Sequence, residues 1–441
     1  MRVGIIGAGA AGLAAAYEFG RAGHRTVVYE RAPFLGGQAS TFDVGGAPLE
    51  RGYHHLFTSD TAIIDLIGEI GLGDRMRWFE SKVGILHSDG RIYSLVTPMD
   101  LLRFTPLSLI DRIRLGTVTM LLNWRSDWRG LERYTADEWI RRWAGPGVYE
   151  AVWGPLLRGK FGEQHFDEVG MPWFWGKIHT RFASRGKGMS KELLGYPMGS
   201  FGEVFQILAD RVREMDGQVH LSAAVDRILI EDGRAVGLQV ESGPGGPGIE
   251  RFDAVLATTP SYVFPKLVPP MPDDYARRLS GVTYMAAVLI ILILKRPLTD
   301  VYWLNVADRS IPFVGVIEHT NMIDRSLYGG KHIVYLSNYL TVDHPLYAMD
   351  HQELLAEYLP HLRKVNPEFD ESWIETSYHH RVGAAQPVIG TEYSARIPDH
   401  RTPFRRLYLA NTTQIYPEDR GTNYSVQMGR KVARMMLEDL A

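Results

Sequence analysis

Residues 7–12 read Gly7-Ala8-Gly9-Ala10-Ala11-Gly12, and residue types at that spacing suit a phosphate ligand. Gly7 permits a tight turn, Gly9 lets a pyrophosphate approach the backbone, and Gly12 lets a helix pack closely on a strand. Ala10 and Ala11 open that helix, whose free N–H groups and positive dipole end suit phosphates. Glu30 ends the next strand, close to the ~20-residue offset at which a carboxylate accepts hydrogen bonds from ribose hydroxyls. The same carboxylate would repel a 2′-phosphate, so NADP is disfavoured. A lone glycine motif is weak evidence. Here a strand, Arg2 to Ile6, precedes it and a helix, Ala10 to Arg21, follows, as dinucleotide binding requires.

Beyond Glu30 the chain continues Arg31-Ala32-Pro33-Phe34-Leu35-Gly36-Gly37-Gln38. This run resembles the flavin-containing amine oxidase superfamily, which includes protoporphyrinogen oxidase, the carotenoid desaturases and, more distantly, UDP-galactopyranose mutase. The resemblance implies that Gly36 and Gly37 pass close to the pyrophosphate of FAD. It also implies a departure, because most members carry arginine where this chain has Gln38; Arg31 is placed to supply the missing charge. Gly52-Tyr53-His54-His55 resembles the segment that runs past the flavin in plant-type desaturases. Ala224-Val225-Asp226-Arg227-Ile228 and Asp253 to Pro260 are similar to the strands around the adenine end, with Val225 as a contact. Leu407 to Asn411 and the helix with Gly429-Arg430-Lys431 resemble the closing motif. There Asn411 would meet the ribityl chain, and Gly421, Thr422 and Asn423 would bring a helix N-terminus to the flavin N1–C2 carbonyl.

Hydride transfer to flavin N5 asks mainly for positioning and pocket polarity. The candidate catalytic group is His54, which the resemblance sets against the flavin; a histidine held by backbone alone is the competing reading. Tyr53 and His55 should point away from it if the segment is extended. The family's aromatic pair around a substrate nitrogen falls near Gly421, which is not aromatic, with Tyr416 and Tyr424 displaced; a simple amine substrate is disfavoured. The chain has no cysteine, so FAD is expected to be noncovalent, and thiolate metal sites are excluded. His379 and His380 face opposite ways in a strand, so they do not read as a metal pair. Lys177, Arg181, Arg185, Lys187 and Lys191 form a basic stretch, read first as a solvated loop and second as an anion site.

The elements that must position these residues alternate as α/β. The expected architecture is a Rossmann-like FAD-binding domain (1–80, 196–262 and 384–441) interleaved with a mixed α+β substrate domain (81–195 and 263–383). The length of 441 residues suits two or three domains at about 150 residues each. A net charge of −3 shows no basic footprint for nucleic acid. Met285 to Leu294 is the longest apolar run, half the ~20 residues of a spanning helix, and reads as a strand buried on both faces. The first strand follows Met1 directly, so no leader and a cytoplasmic or membrane-peripheral location are expected. Leu101 to Leu122, with Arg103, Arg112 and Arg114, could dock on a membrane, although ordinary domain packing explains the same pattern.

The function expected is FAD-dependent oxidation or desaturation of a fairly apolar small molecule of isoprenoid or tetrapyrrole type. Two alternatives remain: a sugar-nucleotide mutase, suggested by Arg420-Gly421-Thr422, and a flavoprotein that serves only as a carrier. The oligomeric state is open.

Overall fold

The computed structural model describes residues 1–185, 192–241 and 246–441. A five-stranded parallel sheet runs in the order Gln218–His220, Arg25–Tyr29, Arg2–Ile6, Ala254–Ala257, Leu407–Leu409. Three distant stretches of chain thus share one sheet. Its strands are valine-, isoleucine- and leucine-rich and buried, as a sheet covered on both faces requires. The helices Ala10–Arg21 and Thr422–Leu440 pack against each other beside it.

A second sheet of seven strands runs Ile374–Pro387, Tyr284–Leu294, His332–Leu340, Gly315–Glu318, Trp303–Val306, Val83–Leu86, Ile92–Ser94. The apolar run expected to be a doubly buried strand is one, paired on both sides. Strand Ile374–Pro387 continues past residue 384, so one element runs across an expected domain edge. Ala224 to Ile228 and Asp253 to Pro260 do not pair with one another. Val225–Glu231 lies in a separate three-stranded sheet, and Ala254–Ala257 in the parallel one. The glycine-rich stretch Gly243 to Gly248, whose composition reads as a turn, lies partly outside the described residues.

Two close approaches set the geometry of the parallel sheet and its helices. A Cβ on Gly12 would stand 2.0 Å from the Gly7 carbonyl oxygen, and one on Gly429 would stand 2.2 Å from that of Ala11. Neither backbone oxygen can move without dragging a helix. Arg430 then ties the closing helix down, pairing with Glu18 at 3.0 Å and Glu69 at 2.6 Å.

Gly429→Val is expected to destabilise the fold by about 2 kcal/mol or more, because the clash is with backbone. A thermal melt that matches the wild type would show that the two helices have room to separate.

Candidate active site

The glycine turn is built as its sequence implies. Gly7 has a φ of 108°, and its N–H donates to the Tyr29 carbonyl at 2.8 Å. Gly36 donates to the Ala8 carbonyl at 2.9 Å, and Gly36 and Gly37 both have positive φ. The second loop therefore lies directly on the first: a Cβ on Gly37 would be 3.3 Å from the Gly9 Cα. Ala10 and Ala11 begin a helix that has no side-chain cap and no acid in its first turn, so its terminal N–H groups remain for an anion. Helix Thr422–Leu440, with Gly421 as its N-cap, is likewise uncapped and free of acid in its first turn. These two bare termini and the backbone cradle suit a dinucleotide's phosphates and an electron-rich flavin edge.

Glu30 sits between the loops. Its carboxylate accepts from the Ala8 N–H at 3.0 Å and the Ala32 N–H at 2.9 Å. The carbonyl of Glu30 accepts from Ala223, which brings the strand that begins at Val225 alongside. Arg31 is exposed at the loop's edge.

A cavity of about 270 Å³ joins this region to the seven-stranded sheet. Gly37, Gln38, Gly52, Tyr53 and His54 line one side, and Ala287, Leu289, Tyr339 and Val382 line the other. Gln38 is held by donating to the Ala384 carbonyl at 2.9 Å. His54 Nδ1 lies 2.6 Å from the Gly52 carbonyl, so it carries the proton and leaves Nε2 as the acceptor. Burial pushes its pKa down to about 4, so the ring is neutral at pH 7. Tyr53 and His55 both pack edge-on against Trp303, whereas His54 faces Phe201, as alternation along an extended segment requires.

The chain enters the cavity from Glu50, which is fully buried. Its carboxyl accepts from Tyr196 at 2.9 and 3.0 Å and from the Phe201 N–H at 3.0 Å. Its backbone carbonyl accepts from Tyr335 at 2.8 Å. Burial raises its pKa to about 7.

Two expected contacts are spent elsewhere. The Asn411 side-chain oxygen accepts from Thr413, and its amide donates to the Thr259 carbonyl and Ser261, so no atom is left for a ribityl chain. The Asn423 side-chain oxygen accepts from the Ile63 N–H at 3.2 Å and is therefore committed within the protein. Tyr416 donates to Glu132 at 2.7 Å, away from the cavity, and Tyr424 packs in the core. Two tyrosines that line the cavity, Tyr53 and Tyr339, meet there with hydroxyls 3.5 Å apart.

A buried polar cluster escaped the sequence reading. Arg420 donates to Tyr339 at 3.0 Å and to Gln386 at 3.2 Å. The Lys160 ammonium lies 4.5 Å over the Tyr339 ring. Asp419 lies 3.8 Å from Lys160 and 2.5 Å from Lys177, and it accepts from Trp173 at 2.9 Å. Lys177 is paired yet its side chain stays 38% exposed, and Arg181, 43% exposed, lies 3.9 Å from Glu192, so both remain at the solvent boundary. Lys187 and Lys191 lie outside the described residues. Three cations thus surround one carboxylate. Burial works to raise the Tyr339 phenol, but Lys160 and Arg420 overcome it and hold the phenol well below its usual range. Lys160 is lowered by burial. Only Arg420 stood in a recognisable motif; Tyr339 and Lys160 are ordinary strand and helix residues until the fold joins them. His379 faces His351, and His380 faces Phe42 and Arg51, on opposite sides of their strand.

Three outcomes follow from this geometry. Glu30→Ala should weaken FAD binding by about one to two decades, since charge-assisted bonds of ~1.5–3 kcal/mol are lost; retention through dialysis checks it. His54→Ala should keep FAD but change its absorbance or its anaerobic reduction rate; an unchanged spectrum and rate with a lower melting temperature would retire it as a site residue. Glu50 titrates higher folded than unfolded, so its stabilising effect is full below about pH 4.5 and is lost as pH rises through about 7. Glu50→Gln should remove up to about 3 kcal/mol of that pH dependence, read from melts between pH 5 and 8.

Comparison with known proteins agrees with this architecture. The family model for flavin containing amine oxidoreductase matches residues 10–437. The 15-cis-phytoene desaturase of Glycine max is 23% identical, over 94% of this chain and 76% of that protein. The 15-cis-phytoene desaturase of Synechococcus elongatus is 26% identical, over 68% of this chain and 67% of its own. For another curated relative the match spans only 37% of its length. Among solved structures, reduced UDP-galactopyranose mutase superposes with a TM-score of 0.78 at 16% identity, covering 99% of this chain and 95% of that one. The chain belongs to the flavin containing amine oxidoreductase family and is an FAD-dependent oxidoreductase.

Proposed function

We propose that this enzyme dehydrogenates a small molecule with an apolar body and a polar end, and that Tyr339 takes a proton in the process. The observation that carries the reading is one phenol, held low by Lys160 and Arg420, in the same cavity as Gly37 and His54. The floor of the cavity is apolar at Ala287, Leu289, Val382 and Ala385, while Arg51, Arg381 and Arg420 line it without a carboxylate. That pattern suits an aliphatic segment that ends in a carboxylate or carbonyl.

Bound FAD supplies the hydride acceptor at N5. The chain's own groups do the rest. Gly52, Tyr53 and His54 form the wall against which the flavin would lie, and neutral His54 adds no charge that would oppose loss of a hydride. One C–H bond gives up its hydride, the neighbouring C–H gives its proton to the Tyr339 oxygen, and the electron pair left behind forms the double bond. Lys160 and Arg420 stabilise the phenolate that receives the proton. Residues 1–80, 196–262 and 384–441 are proposed as the cofactor unit, and 81–195 and 263–383 as the substrate unit.

A second reading is favoured by the arginine-lined wall: isomerisation of a sugar nucleotide without net oxidation. It requires activity only with pre-reduced flavin.

Tyr339→Phe is expected to retain FAD and slow anaerobic flavin reduction by about 10²- to 10⁴-fold, the usual contribution of a positioned base. The wild-type rate should fall with pH below the titration of Tyr339, and the variant should lose that limb. Reduction of Tyr339→Phe at the wild-type rate would remove this residue from the chemistry.

A further inference from the structure

Helix Leu109–Trp124 is apolar on two faces. Leu115, Val118 and Leu122 are buried in the core formed with the neighbouring helices. At 3.6 residues per turn, Ile110, Ile113, Thr117, Leu121 and Trp124 fall on a different strip, about 80° wide. Leu109 on the same helix and Leu102 on the preceding helix, Pro98–Arg103, are also uncovered; the large apolar side chains of this face, Thr117 aside, are 53% to 71% exposed. Domain packing accounts for the inner face only. Contiguous apolar surface of this kind marks an interaction face.

The charges around it point to the partner. Arg103, Arg114 and Arg125 stand exposed beside the strip. Of the nearby acids, Asp100 closes the capping box of the preceding helix, Asp111 pairs with Arg114 at 3.3 Å and neutralises it, and Asp127 accepts from the Arg129 N–H at 3.0 Å; Arg103 and Arg125 have no carboxylate ion pair among the described residues, and they are the charges left for a partner. A second copy related by a two-fold axis would set these arginines near their own mates. Anionic headgroups would neutralise them, and Trp124 at the end of the strip is a side chain suited to the headgroup boundary.

We propose that this face docks the enzyme on an anionic lipid surface, with the helix lying in the plane of the interface and Ile110, Ile113, Leu121 and Trp124 in the acyl boundary. The contact is peripheral; among the described residues no helix is long and apolar enough to cross a membrane. The inference does not depend on the substrate or on Tyr339.

The test uses the FAD-loaded full chain and sedimenting vesicles of phosphatidylcholine, with or without phosphatidylglycerol. The protein should pellet with the mixed vesicles, less with phosphatidylcholine alone, and less again at high salt. The double variant Ile113→Glu/Leu121→Glu should lower partitioning by about ten-fold or more while leaving flavin absorbance intact. If that variant fails to fold, Ile110→Ser/Trp124→Ser takes its place with the same expectation. Protein that stays in the supernatant with both vesicle types overturns the proposal, as does equal partitioning of wild type and variant. Equal pelleting with phosphatidylcholine alone overturns the anionic assignment. A wild-type dimer that the variant dissolves, with no vesicle binding, assigns the face to a second copy instead.

Discussion

The structure depends on backbone segments that touch without side chains between them. Gly9 lies against Gly37, Gly12 against the Gly7 carbonyl, and Gly429 against the Ala11 carbonyl. At the last two a Cβ would overlap a backbone oxygen, at 2.0 and 2.2 Å, while between Gly37 and Gly9 it would make a tight contact of 3.3 Å. The outcome is one cradle of N–H groups fed by segments more than 400 residues apart in sequence. A pyrophosphate is bound by such a surface because its charge is spread over several oxygens, each able to accept from a different amide. Glu30 reinforces the same constraint from below, since its two oxygens clamp the turn at Ala8 and the loop at Ala32.

The second sheet answers to a different demand. Strand His332–Leu340 sends Tyr335 to the Glu50 carbonyl and Tyr339 to the cavity, four residues apart on one face. Glu50 and Tyr339 thereby share a scaffold, on which the segment from Arg51 to His54 lines the cavity. Around Tyr339 the balance of charge is uneven. Asp419 offsets part of the field of Lys160, Lys177 and Arg420, and the remaining positive field favours an anion in the cavity, whether a phenolate or an electron-rich group on a ligand.

Helix Leu109–Trp124 shows how an amphipathic pattern can mislead. Apolar residues recur along it at helical spacing, but they occupy two strips, and a sequence does not say which strip finds a partner. Only the packing of Leu115, Val118 and Leu122 identifies the inner one.

The sequence by itself determined the local features. Gly7 to Gly12, Glu30 and Gly36-Gly37 specify a turn chemistry that only glycine permits, and the strand and helix around them follow from periodicity. The run from Met285 to Leu294 specifies a doubly buried strand because no charge interrupts it. The resemblance carried by these motifs reached the family and the cofactor. Tertiary structure decided what needs distant partners. It committed Asn411 to Ser261, Thr413 and Thr259, because a buried amide must satisfy its own hydrogen bonds. It turned Asn423 toward Ile63 and brought Tyr53 and Tyr339 together in the cavity. It also joined Lys160, Tyr339 and Arg420, whose effect on one another falls off over a few ångströms and leaves no trace in residue order.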